Sequence, residues 1–149
     1  MVETVDRWAA TCGTNVVGQI GPSTYKPAHI KAHNFLPPKE FESLLKQADL
    51  VIAHCGMGSI LSALSLGKPI IVMPRSASKG EHRNDHQFAT AQRLSRQPGV
   101  TVAWDEAEMS RCLERISALQ DSSSFSPIPP KAPRELTDRL RTFLWEGRR

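Results

Sequence analysis

A parallel, doubly wound α/β sheet is the fold this sequence predicts, and three observations predict it. Leu50-Val51-Ile52-Ala53 and Pro69-Ile70-Ile71-Val72-Met73 are nearly unbroken apolar runs, as parallel strands covered on both faces require. Segments with apolar residues three and four apart separate these runs, so strands and helices alternate. Between the first run and the next helical segment stands Gly56-Met57-Gly58-Ser59, a glycine turn of the kind that joins a strand to a helix.

Taken in order, the chain opens on a helix, with Val2, Val5, Trp8 and Ala9 at helical spacing and no strand ahead of it. Asn15 to Ile20 reads as a strand ended by Gly21-Pro22-Ser23, and residues 23–30 as loop. His33-Asn34-Phe35-Leu36 is expected to be a short strand, stopped by Pro37-Pro38. Phe41, Leu44 and Leu45 then make an amphipathic helix of Lys39 to Gln47, and Leu50 to Ala53 the central strand. After the glycine turn, Ile60, Leu61, Leu64 and Leu66 give a helix one apolar face, with Gly67 at its C-terminal end. Pro69 to Met73 is the next strand, closed by Pro74, and Arg75 to Asn84 a polar loop. A helix bearing Phe88, Ala89, Ala91 and Leu94, a strand Val100 to Ala103, and a helix Glu106 to Leu119 follow. In the last of these, Met109, Cys112, Leu113 and Ile116 are expected to point inward.

Residues 1–120 therefore read as one ligand-binding α/β domain and residues 121–133, rich in Ser and Pro, as a linker. Residues 134–149 read as a basic amphipathic helix, with Leu136, Leu140, Phe143 and Leu144 in a stripe flanked by Arg134, Arg139, Arg141, Arg148 and Arg149. Such a helix either packs back on its own domain or docks on a partner or an anionic membrane.

A chain of 149 residues buries one core. Its net charge of +4 suits an anionic ligand, an acidic partner or an anionic surface. The excess comes largely from the C-terminal arginines, and no Lys/Arg block is interleaved with aromatics, so nucleic acid is not an expected partner. Cys12, Cys55 and Cys112 are scattered without CxxC spacing, which predicts reduced thiols in a cytoplasmic compartment. No run approaches the length of a bilayer span and no signal-peptide pattern opens the chain.

The chemistry concentrates between His54 and Gln87. Gly56 and Gly58 let the backbone turn sharply and approach a ligand closely, and Ser59 stands where a helix takes a cap and a phosphate takes a donor. Helix amides without intrahelical partners, with the positive end of the macrodipole, make such a turn an anion site. An ordinary strand-to-helix turn capped by Ser59 would use the same residues. His54, at the strand end, is placed either to donate to a phosphate or sugar hydroxyl or to be satisfied within the fold. His82 and His86 are four apart, but a metal site would need a third ligand from His54, Cys55 or Glu81, and no metal is expected. Gly80-Glu81-His82-Arg83-Asn84-Asp85-His86-Gln87 packs charge and amides into the loop after the next strand. Its side chains are therefore expected at the same crevice, where ligands of such sheets bind.

These stretches, with Gly67-Lys68-Pro69 and Val72-Met73-Pro74-Arg75, resemble the C-terminal, nucleotide-sugar-binding half of glycosyltransferase family 28. The chain is most similar to the small donor subunits of two-part transferases in bacterial exopolysaccharide and eukaryotic dolichol-linked GlcNAc synthesis. The resemblance covers residues 15–95 and is specific over 50–94. It implies a Rossmann-like domain, the donor-binding half of a GT-B glycosyltransferase, with no cofactor. It implies that Gly56, Met57, Gly58 and Ser59 hold the UDP diphosphate with help from His54, that Phe35 flanks uracil, and that Glu81, Asn84, His86 and Gln87 line the loop facing the donor sugar. It further implies an inverting hexosyltransferase subunit that is inactive alone, paired with a membrane-associated, acceptor-binding subunit. That partner would hold it at the inner face of the membrane and supply the general base. The chain departs from the family where it lacks a first strand with a Gly-Thr loop and where Ser62 replaces an acidic residue that holds the ribose in many relatives. Both departures leave open a binding or regulatory module that keeps the fold without transfer.

Overall fold

The computed structural model describes residues 1–75, 86–118, 127–129 and 134–146. The order is α1 (Val2–Cys12), β1 (Val17–Gln19), β2 (Lys31–His33), α2 (Pro38–Gln47), β3 (Val51–His54), α3 (Met57–Ser65), β4 (Ile70–Met73), α4 (His86–Leu94), β5 (Val100–Val102), α5 (Glu106–Ala118) and α6 (Arg134–Glu146).

All strand pairs are parallel, and among the described residues they fall into two sheets, β1-β2 and β3-β4-β5. Strand β4 runs through the centre of the second sheet and is buried along its whole length. Its side chains alternate between two cores, as a strand's two-residue period demands. Ile70 and Val72 join Ile60, Ala63 and Leu64 of α3 and Ala91 of α4. Ile71 and Met73 join Val5 of α1 and Met109 and Leu113 of α5. Helices thus cover both faces, and the sheet is doubly wound. The continuous apolar run in the sequence is the direct signature of this two-sided burial.

The second core also gathers Val16 and Ile30, which precede β1 and β2, and Leu50 and Ile52 of the β3 region. One side-chain layer under α1 therefore serves both sheets, although no backbone ladder joins them among the described residues. A second tie comes from Asp6, 2 % exposed. Its carboxylate accepts from the Tyr25 hydroxyl at 2.8 Å and from the amides of Ala28, His29 and Ile30 at 3.0, 2.8 and 3.1 Å. Those amides lie in an irregular segment with no ladder of its own, and the carboxylate supplies their acceptor.

Two expectations move. The strand predicted at His33–Leu36 lies at Lys31–His33, paired with Val17–Gln19. The chain leaves the ladder there because the Gln19 side chain takes the Leu36 amide at 2.8 Å, which buries Leu36 and leaves Phe35 70 % exposed. Ile116 is exposed rather than inward, because helical spacing only selects a face and the core that α5 meets ends at Leu113. Within the Ser/Pro-rich stretch, Ile128 packs against the α3/α4 core and its amide donates to the Leu64 carbonyl at 3.2 Å. Residues 134–146 form the expected helix, while the side chains of Leu136, Leu140, Phe143 and Leu144 lie outside the described residues.

Candidate functional site

The C-terminal edge of the β3-β4-β5 sheet carries the candidate site. After His54 the chain folds back on itself, the Gly56 amide donating to the His54 carbonyl at 2.7 Å, and α3 starts at Met57. Gly56, not Ser59, occupies the N-cap position, in an extended conformation with φ −99°, and no side chain caps the helix. Ser59 is the third helical residue, its hydroxyl in the first turn. The first helical bond within α3 runs from the Ile60 amide to the Gly56 carbonyl, so the amides of Met57, Gly58 and Ser59 have no intrahelical acceptor.

Backbone twist does not call for the glycines of this turn. Gly56 has a negative φ, whereas Gly13, Gly21, Gly67 and Gly99 carry the positive values that exclude side chains. A Cβ built on Gly56 or Gly58 would meet nothing within 4 Å. The surface over the uncapped amides is therefore open, and glycine keeps it so. Beneath it Cys55 is 2 % exposed in the α3/α4 core, and burial pushes its thiol up from the ordinary cysteine range. The sulfur anchors the turn and is not a ready nucleophile.

The Met73 carbonyl accepts the Cys55 amide at 3.2 Å and stands 3.2 Å from His54 Nδ1. A carbonyl only accepts, so Nδ1 carries the proton, and Nε2 of the neutral ring is an acceptor. A neutral ring so oriented has no proton on Nε2, so the expected donation from His54 to a phosphate would need the imidazolium. One strand further, the Arg75 amide donates to Gln87 Oε1 at 2.9 Å, tying the end of β4 to the first turn of α4. This bond uses the Gln87 carbonyl oxygen and leaves its amide group to donate.

The structure thus brings His54, Gly56, Met57, Gly58, Ser59 and Gln87 to one sheet edge. Phe35 stands past the end of β2 in the other sheet. Glu81, Asn84 and His82 lie outside the described residues, as does the side chain of His86, whose backbone opens α4. Among the described residues no three His, Cys, Asp or Glu side chains come together as a metal site would need. No described helix is long and apolar enough to cross a membrane.

Sequence reasoning passed over Trp104. The register pairs His54 with Met73 and Val72 with Val102, and Trp104 follows β5 by two residues at the same sheet edge where Cys55 follows β3 and Pro74 follows β4. The Trp104 ring stacks on Phe88 of α4, with centroids 6.0 Å apart and planes 28° from parallel, and is 36 % exposed. Its amide donates to Glu108 Oε2 at 3.0 Å, while the Glu108 amide donates to Asp105 Oδ1 at 2.7 Å, a cap at the start of α5. A large aromatic immediately after the predicted strand Val100 to Ala103 was the available signal.

The sequence profile of the glycosyltransferase family 28 C-terminal domain matches residues 1–132. The UDP-N-acetylglucosamine transferase subunit ALG13 of Mus musculus is 35% identical over 88 residues, which is 56% of this chain and 7% of the mouse protein. The UDP-N-acetylglucosamine--N-acetylmuramyl-(pentapeptide) pyrophosphoryl-undecaprenol N-acetylglucosamine transferase of Prochlorococcus marinus (strain AS9601) is 33% identical over 110 residues, 68% of this chain and 29% of that protein. The chain thus spans less than a third of either relative. Among solved structures, the glycotransferase of kitacinnamycin superposes with a TM-score of 0.59 at 23% identity, over 79% of this chain and 30% of that one, a likeness of fold alone.

Proposed function

This chain belongs to the glycosyltransferase family 28 C-terminal domains, and from that membership we propose that it is the UDP-sugar-binding part of an inverting hexosyltransferase. The relatives that it resembles are named for transfer of N-acetylglucosamine, and UDP-N-acetylglucosamine is the donor we assign. The observation that carries the reading is the open surface over Gly56 and Gly58, beneath which the first-turn amides of α3 point outward uncapped.

A diphosphate seated there accepts from the amides of Met57, Gly58 and Ser59 and from the Ser59 hydroxyl, at the positive end of the helix. Chemistry then follows from charge. An acceptor hydroxyl attacks the anomeric carbon as the bond to the β-phosphate oxygen breaks, and the electron pair leaves on UDP. The amides hold that developing charge without reorganising, which lowers the barrier more than it stabilises the bound donor. Gln87 donates to the sugar hydroxyls, with Glu81, Asn84 and His86 in the adjoining segment, and Phe35 takes the face of the base. The acceptor proton passes to a general base on a membrane-associated partner subunit, which also presents a lipid-linked acceptor. This chain is then inactive alone and sits at the inner face of the membrane through its partner.

Thermal unfolding with UDP tests the donor reading. Ligand at about 100 times its dissociation constant stabilises the native state by about 2.7 kcal/mol, which for a chain of this size raises the melting temperature by several degrees. No shift with millimolar UDP in folded protein overturns the assignment. A partner complex that binds the donor yet transfers no sugar would make this chain a binding module instead, a reading that Ser62 in place of an acidic ribose contact favours.

A further inference from the structure

We propose that Trp104 is a specificity-determining residue of the donor site, its indole forming the wall against which the sugar ring of the nucleotide-sugar stacks. The inference rests on the reading of the glycine turn as the diphosphate site and adds to it the place of the sugar. The turn follows β3 and Trp104 follows β5, two strands away in the sheet, about 10 Å at the usual strand spacing. A sugar joined to a diphosphate at the turn must lie within bonding reach of it. If the donor extends toward β5, its pyranose rests over the end of β4, between the turn and the indole.

Two contacts define that space. Gln87, held by the Arg75 amide at 2.9 Å, brings its donor amide group to the floor. Phe88, the next residue, stacks on Trp104 at 6.0 Å and fixes the indole from the α4 side. The backbone of Trp104 is fixed as well, through its amide bond to Glu108. A tryptophan needed merely to fill the core would be buried, as Val100 at the start of β5 and Ala103 beside Trp104 are. Trp104 instead keeps 36 % of its surface exposed. An aromatic face with a donor amide beside it suits a pyranose, which offers apolar C–H groups on one side and hydroxyls at its rim.

The test is a pair of titrations on the full chain, with UDP and with UDP-N-acetylglucosamine, for the wild type, Trp104→Ala and Trp104→Phe, each first shown to be folded by circular dichroism. The expected result is a UDP affinity within about twofold of wild type in all three, an affinity for UDP-N-acetylglucosamine about tenfold weaker in Trp104→Ala, and partial recovery in Trp104→Phe. A purely structural role for Trp104 would move both ligands together. Equal weakening of the two ligands, or no change in either, overturns the proposal while leaving the diphosphate reading intact. Failure of the wild type to bind UDP removes that reading itself and this one with it.

Discussion

Asp6 shows how one side chain outside the site holds the fold that positions it. Burial alone would raise its carboxyl, but the amides of Ala28 and His29, the Tyr25 hydroxyl and the amide of Ile30 hold it down at about 2, from 3.8. A carboxylate depressed on folding contributes stability that is present above the unfolded value and lost as pH falls through the folded one. The expected outcome is a wild-type urea midpoint that falls between pH 4 and pH 2 more steeply than that of Asp6→Asn, which is less stable at pH 7. Parallel pH profiles would remove Asp6 as the cause. Little in the local pattern announces it. Asp6 lies on the face that carries Val2, Val5 and Ala9, but its partners come from residues 25–30, and no local spacing links the two. His54 was visible at the strand end, yet its tautomer depends on a carbonyl from the next strand.

Helix α3 is the element in which stability and binding pull apart. Gly58 is the second residue of a helix whose interior otherwise favours alanine, and a Cβ there meets no protein atom within 4 Å. Gly58→Ala should therefore raise stability by up to about 1 kcal/mol, as glycine in a helix costs that much relative to alanine. The same methyl group narrows the approach to the amides, and UDP affinity should fall at least about tenfold. Chemical denaturation and a UDP titration on one preparation check both arms, and undiminished binding would mean that the ligand does not cross this surface. The glycine turn and its helix were legible because a buried strand, two closely spaced glycines and a helical apolar pattern follow one another without a gap. Its cap was not: Ser59 is the residue type that caps helices, but the helix begins two residues earlier, after the back-turn at Gly56. In β2 the strand was anticipated two residues late, because Gln19 draws Leu36 out of the ladder through a side chain that no propensity records.

For the whole molecule, the alternation of strands and helices in sequence was enough to predict a doubly wound parallel sheet, since parallel neighbours need a crossover and a helix is the usual one. What sequence could not reveal is that the ladder among the described residues is interrupted, because pairing between strands distant in the chain leaves no periodic trace. The consequence is measurable. Native-state hydrogen exchange should find the amides of Ile20 and Lys31, which bond across β1 and β2, opening more readily than those of Ile70 and Ala103, which bond across the buried sheet. Uniform protection across the two groups would show one cooperative unit.

That interruption changes what occupancy can do to the protein. Among the described residues no backbone ladder links the sheets, which are joined by side chains under α1 and by the carboxylate of Asp6. A donor that lay on the glycine turn and also reached Phe35 would act as a clasp, fastening from outside two sheets whose described strands share no ladder.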